Sequence, residues 1–500
     1  MKISRRQFVR AGGAALLAAT AGCEQASNFL GIGATRHELT GPLDPPQSAS
    51  LDAVSHALNR LTFGPRPGDY ACAKTMGVAS FLDEQLAPEK IDDTVCDNAV
   101  RRFEVLGEPA GEMFEYQEKF LLDQMTGATL LRATLSRRQL YEVMVRFWSD
   151  HFNIDSGKGD CRWLKAADER DVIRPHALGS FPAMLRASAL SPAMLWYLDG
   201  RENRITRPPA RSTLDAIVGL DEKAGKPNEN YARELLELHT MGVHGGYTQR
   251  DVMEVARCLT GWTVRGTTDS KFQIGKVEFK SERHDPGEKI VLCHRIPPTG
   301  AGELDRVLEI VALHPSTARH IATKLCRHFI AAEPPERAIA VVADAFLKSA
   351  GDIRATLRAL FSTGEFAAAR GAKLKRPFEF IVSALRATNA TTDAGPGIVD
   401  YLLRMGHAPF RYPTPDGYPE GAAHWMGTLL WRWNFAVSLC ENRIAGTRID
   451  ARELREKLGG DDALAAQILG RTPTAGESRA CLDSGAGLAL LLASPAFQRC

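Results

Sequence analysis

The densest collection of groups able to do chemistry runs from Asn228 to Val243, reading Asn-Glu-Asn-Tyr-Ala-Arg-Glu-Leu-Leu-Glu-Leu-His-Thr-Met-Gly-Val. Within it Asn230, Glu234 and Glu237 recur at i, i+4 and i+7, so a helix places all three on one face. Tyr231, Leu235 and Leu238 fall on an adjacent apolar stripe. Two carboxylates held together beside such a stripe repel, and the repulsion is relieved by raising one pKa or by recruiting a cation. The chemistry implied is an acid/base pair or a divalent metal site, with Glu234 and Glu237 binding the ion or positioning water. The competing reading is a solvated face on which Arg233 and Glu237 form an i, i+4 ion pair.

A second cluster is Arg146-Phe-Trp-Ser-Asp-His-Phe-Asn153. Asp150 and His151 are adjacent, so on a helix they point about 100° apart and cannot chelate together. His151 lies among aromatic residues, where a neutral imidazole can act as metal ligand or base; the alternative is a core histidine bonded to backbone. The third cluster, His284-Asp-Pro-Gly-Glu-Lys289, is first of all a turn. It is expected at the tip of a long loop, where His284 and Asp285 are placed to close over a site. The candidate catalytic residues are therefore Glu234, Glu237 and His151, and the candidate metal ligands His151, Glu234, Glu237, His284 and Asp285. The cofactor itself is left unassigned, a divalent metal being the one considered. The sequence contains no Gly-x-Ser-x-Gly elbow, Walker loop, dinucleotide fingerprint or His-Glu-x-x-His.

The elements that must carry these residues are mainly helical. Apolar residues at i, i+3 and i+4 mark helices starting at Leu51 and over Arg138–Phe152, Val307–Leu313, Ala318–Phe329, Ala338–Leu347, Ile353–Leu360 and Phe378–Ala387. Thr248 with Asp251 reads as a capping box, and Gly351-Asp352 as another helix start. Alternation of period two is confined to Lys271–Lys280, with Gly275-Lys276 as the turn of a hairpin, and to Lys289–Leu292. The expected fold is mainly α, a large multi-helix domain over residues 51–500 with a small β-hairpin insertion. Three long polar segments are expected to be functional loops: Asp199–Asn228, Arg265–Gly302 and Met405–Ala423.

The N-terminus reads as an address for export. Arg5-Arg6 followed by Phe8 fits a twin-arginine signal. The apolar stretch Ala11–Ala21 is too short for a bilayer, which needs about 20 residues, so residues 1–22 form a signal peptide. Thr20-Ala-Gly-Cys23 resembles a lipobox, although Thr20 stands where a branched aliphatic residue is usual. A lipid on Cys23 would tether the chain through the linker at residues 23–50. Removing residues 1–22 takes away Lys2, Arg5, Arg6 and Arg10 and no acid, so the net charge moves from +2 to −2. Near-neutrality without a basic run disfavours a nucleic-acid groove or an anionic-lipid patch. No Cys-x-x-Cys pair occurs among the ten cysteines. With Cys23 set aside the number is odd, and most are expected to be small buried hydrophobes.

The ordered blocks resemble a bacterial family, DUF1800. They are His56-Ala-Leu-Asn-Arg-Leu-Thr-Phe-Gly-Pro65, Met144–Phe152, Asn228–Val243 with Leu259-Thr-Gly-Trp262, His284–Lys289, His314-Pro-Ser-Thr-Ala318 through Lys324-Leu325, and Lys375-Arg-Pro-Phe-Glu-Phe380 with Gly417-Tyr-Pro419 and Trp425. The resemblance implies a mostly helical exported protein of the periplasm or cell envelope, with an exported alkaline-phosphatase-like protein encoded nearby as a partner. It carries over no catalytic residue. Ser149-Asp150 stands where His-Asn is common before His151, and Cys293-His294 where a Gly is usual. Two functions follow as expectations: a metal- or carboxylate-dependent envelope hydrolase, or a non-catalytic scaffold for an exported partner or surface polymer. The scaffold reading leans on Phe410–Tyr418 as an exposed aromatic loop.

Overall fold

The periodic segments fold where their apolar residues demand a shared core. In the computed structural model, which describes residues 34–205, 227–483 and 486–500, helices form at Ala53–Leu61, Gln139–His151, Gly302–Ala312, Pro315–Phe329, Glu336–Lys348, Ile353–Phe361 and Pro377–Ala387, among others. The leader, Cys23 and residues 206–226 of the Asp199–Asn228 loop lie outside the described residues. Both expected helix starts are made. The Thr248 hydroxyl accepts from Asp251 N at 3.3 Å while the Asp251 carboxylate accepts from Thr248 N at 2.8 Å. Asp352 accepts from Ala355 N at 2.7 Å. Each cap satisfies a backbone donor that the first helical turn leaves without a partner.

Packing, more than propensity, holds these helices. Leu140, Met144 and Trp148 of the Gln139–His151 helix are fully buried, each contributing roughly 1.5–3 kcal/mol of burial. They belong to one contiguous apolar cluster that runs from Ala57 to Phe497. A smaller cluster stands apart from it, built from Val105, Met113, Leu121, Met125, Ala166 and Phe410. Among the described residues, no helix is long and apolar enough to cross a membrane.

The β structure is small and antiparallel, but its pairing differs from the expected hairpin. Val277–Phe279 pairs with Trp262–Val264, not with the run before Gly275. Lys271 explains the difference. Its ammonium lies 2.7 Å from both Glu112 and Glu115, which draws the Lys271–Gly275 segment out of line as turns and leaves Phe272 exposed. A second hairpin joins Lys289–Val291 to His294–Ile296. Its two-residue turn, Leu292-Cys293, has φ of +50° and +64°, the left-handed pair that a tight hairpin requires and that Asn-Gly supplies more cheaply.

Candidate functional site

Residue 151 ends its helix, and the chain that follows is pinned to a distant loop. Asn153 Nδ2 donates to the carbonyls of Tyr412 at 2.9 Å and Thr414 at 2.7 Å. Ser156 N and Oγ both donate to Phe410 O, and Tyr197 OH donates to Pro413 O at 2.9 Å. Gly417 lies so close to the helix that a Cβ there would sit 2.1 Å from Asp150 O. Its φ of +76° also belongs to the left-handed region, which glycine adopts without strain. The Met405–Ala423 loop is thus a fixed wall. Its aromatic residues face inward: Phe410, Tyr418 and the following Trp425 are buried. The expected exposed aromatic contact loop is therefore corrected, because these rings fill the space between the loop and the helices.

Against this wall the structure assembles charges from four separate stretches. Arg376 is the hub, reaching Asp150 at 3.2 Å, Glu379 at 2.6 Å and Glu420 at 3.4 Å. Arg146 supports Asp150 at 3.3 Å. Glu420 is also bonded to His328 Nδ1 at 2.6 Å and to Lys373. Burial opposes ionisation of Glu420, but Arg376, Lys373 and His328 together draw its carboxyl well below the usual range. Burial likewise works against Glu379, yet Arg376 and then His407 hold it at about 2. A cavity of about 50 Å³ opens among Arg146, His328, Lys373, Arg376, Glu379 and Glu420.

Lys324 borders the same region from the Pro315–Phe329 helix. It is partly accessible, and among the described residues it has no hydrogen-bond or ion-pair partner. Burial brings its ammonium down to about 8, against the pull of Asp150, Glu420 and Asp416. Three histidines adjoin it. His151 Nε2 meets His239 O at 3.1 Å, and the His151 ring lies 6.2 Å from that of His239 and 6.3 Å from that of His320. His320 Nε2 in turn meets Leu238 O at 3.1 Å. Burial, and then the Lys324 charge, keep all three neutral: His151 falls well below its ordinary value, His239 to about 3 and His320 to about 4.

The residues singled out by sequence divide into two groups. Glu234 and Glu237 lie on the Asn230–Glu237 helix as expected. Burial raises the Glu234 carboxyl, and Glu237 and Asp416 push the same way against Arg233. Arg233 reaches Glu237 only at 3.8 Å. Asp416 acts on both Glu234 and Lys324, and Lys324 acts on the buried His151, so these groups share one electrostatic neighbourhood. His284 and Asp285 belong elsewhere. His284 is buried, its Nε2 lying 3.1 Å from Glu303 and its Nδ1 2.8 Å from Thr260 O. Asp285 forks onto Arg257 at 2.7 and 3.1 Å. The expected exposed loop tip is therefore corrected: this motif clamps the hairpin to its neighbouring helices.

The donor set does not fit a metal ion. Among the described residues no three His, Cys, Asp or Glu side chains converge on one point. His151 turns one nitrogen to a backbone carbonyl, and the charge that acts on it most is the Lys324 cation. The groups it offers are an amine of lowered pKa and a carboxyl of raised pKa, the kinds of group that serve as general base and general acid. Sequence reasoning missed Lys324, Arg376, Asp416 and Glu420. None lies in a cluster of catalytic type, and only the fold brings them together.

Comparison with known proteins adds one match. The family described as "Protein of unknown function (DUF1800)" covers residues 56–499. No curated protein and no solved structure matches the chain.

Proposed function

This chain belongs to the DUF1800 family, and we propose that it is an exported envelope hydrolase working by lysine–carboxylate acid–base chemistry around Lys324. The observation that carries this reading is Lys324 itself, an ammonium without a partner among the described residues, facing carboxylates and lowered to about 8. Burying a cation unpaired costs stability, and a lysine so placed is a general base near neutral pH.

In this reading the neutral Lys324 amine takes a proton from water as the water oxygen attacks the electrophilic atom of the substrate. Glu234, raised by its surroundings, donates a proton to the leaving group as the bond breaks. One water is consumed, and Lys324 then returns its proton through solvent to the Glu234 carboxylate. Asp416 holds the two groups within one field, and no step runs through a metal.

The test is turnover of chromogenic acyl, phosphoryl and glycosyl esters by the full-length protein. Activity on one of these classes should rise with a pKa near 8 and be lost in Lys324→Met. Full activity in Lys324→Met, or a Lys324 titration near the ordinary 10.4, would sink the reading. Export rests on the twin-arginine pattern at Arg5-Arg6, and tethering on Cys23. Replacing both arginines by lysine should leave the protein in the cytoplasm, and Cys23→Ala should release it from the membrane fraction.

A second reading, a holder of an exported partner protein such as the alkaline-phosphatase-like neighbour, is favoured by one feature. Met426, Leu429, Leu430 and Trp433 are exposed at i, i+3, i+4 and i+7, an apolar stripe of the kind that marks protein contacts. Loss of a co-purifying envelope protein in Leu430→Ser with Trp433→Ser, without loss of turnover, would support it.

A further inference from the structure

A cavity of about 440 Å³, away from Lys324, lies where the Glu118–Leu135 helix meets the Arg101–Gly107 turn and the π-helical turn Glu169–Ile173. This is within the roughly 300–1,000 Å³ of small-molecule sites. Its apolar lining includes Phe103, Met125, Ala166 and Phe410, the last three drawn from the small apolar cluster that stands apart from the main core.

The polar lining is unbalanced towards positive charge. Four arginines, at 101, 132, 170 and 174, face two acids, Glu104 and Glu169. Most of these have fixed partners. Arg174 forks onto Glu142, with Nη1 to Oε2 at 3.0 Å. Arg170 holds the carbonyls of Leu106 at 3.0 Å and Glu108 at 2.6 Å, and also pairs with Asp171. Glu169 is shared between Lys165 at 3.4 Å and Ser149 at 3.1 Å.

Arg132 is different. It projects from the last turn of the long Glu118–Leu135 helix onto the cavity, and among the described residues its guanidinium has no hydrogen-bond or ion-pair partner. Burial, and then the charge of Arg174, lower its pKa against the pull of Glu142 and Glu169, neither of which it touches. A half-buried cation without a contacting counter-ion is costly in the empty protein, and a guanidinium presents a planar fork that matches two oxygens of one anion.

We propose that this cavity binds a small organic anion, its apolar body against Phe103, Met125 and Phe410 and its carboxylate or phosphate head forked by Arg132. The apolar lining excludes a bare inorganic ion as the preferred ligand, since such an ion leaves that surface uncovered. The position of Phe410 in the Met405–Ala423 loop, which also carries Asp416 and Glu420, joins the cavity covalently to the charged network around Arg376.

Titration calorimetry on the full-length protein tests this with benzoate, phenyl phosphate, inorganic phosphate and benzyl alcohol. At least one of benzoate and phenyl phosphate should bind, at least tenfold more tightly than inorganic phosphate or benzyl alcohol; their order tells which head group is preferred. Arg132→Met should weaken the better ligand at least tenfold, and Arg132→Lys should recover part of it. Thr129→Phe, which fills the cavity while keeping Arg132, should weaken it as strongly, and covers the case in which Arg132→Met fails to fold. Lys324→Met should bind unchanged, separating this site from the hydrolase reading. The proposal is overturned if neither organic anion binds, if benzyl alcohol binds as well as benzoate and phenyl phosphate, or if folded Arg132→Met or Thr129→Phe keeps wild-type affinity.

Discussion

Arg376 Nη1 lies 3.2 Å from Asp150 Oδ2, joining positions 226 residues apart. The same guanidinium also holds Glu379 and Glu420, so a single side chain bridges three carboxylates drawn from three stretches of chain.

Removing that cation should therefore cost more than an ordinary surface pair. Arg376→Met leaves Glu379 without an ion-pair partner and strips one from Asp150 and Glu420, for which about 3–5 kcal/mol is expected. Arg376→Lys should recover only part, since an ammonium cannot fork onto three acceptors. Urea unfolding of the two variants checks both the size and the order.

Lys324 should behave in the opposite way. Its folded pKa is lowered to about 8, so between about 8 and the ordinary value the unfolded chain holds a proton that the folded chain has released. Stability from this group is therefore reduced below pH 8 and rises through that window. Lys324→Met should stabilise the protein at pH 7 by about 1–2 kcal/mol, after allowing for solvent screening of a partly accessible group. Destabilisation in that variant would show that the ammonium has a counter-charge.

The neutral histidines set the acid limb. His239 is held at about 3 and His320 at about 4, and His151 is also strongly lowered. Below about pH 6.5 the unfolded chain takes up protons that the folded chain refuses, so stability is complete above that pH and falls beneath it. Each such group adds up to about 1.4 kcal/mol per pH unit to the slope, and His37, His56 and His407, lowered in the same way, add theirs. Glu379 contributes in a lower window, its stabilisation present above the ordinary carboxylate range and lost as pH falls towards about 2. Unfolding free energies at pH 7, 6 and 5 should show the histidine slope, and His239→Gln should flatten it.

Gly417→Ala should be severe, because this loop glycine is buried against the helix end. The new Cβ would meet Asp150 O, and the φ of +76° disfavours any side chain. A loss of about 2–4 kcal/mol is expected, together with loss of activity as Asp416 and Glu420 shift. Full activity with unchanged thermal unfolding would show that the loop does not position them.

Local information in the sequence reached the helices and their caps. Thr248 and Asp251 cap each other within one turn, and the apolar spacing of residues 138–152 marks a helix whatever surrounds it, because both depend on neighbours three or four positions away. The family blocks were legible for the same reason, as short ordered motifs. The hairpin was misplaced because Lys271 answers to Glu112 and Glu115, some 160 residues earlier in the chain. Its alternation was visible, but its ion pairs were not.

The candidate site divides along the same line. Sequence alone identified Glu234, Glu237 and His151 as groups worth weighing, because side-chain type and helical spacing are local properties. Tertiary structure alone decided that His284 and Asp285 close a clamp, that His151 stays neutral, and that Lys324 faces Asp150, Asp416 and Glu420. A pKa is set by desolvation and by every charge nearby, and neither exists until the chain has closed on itself.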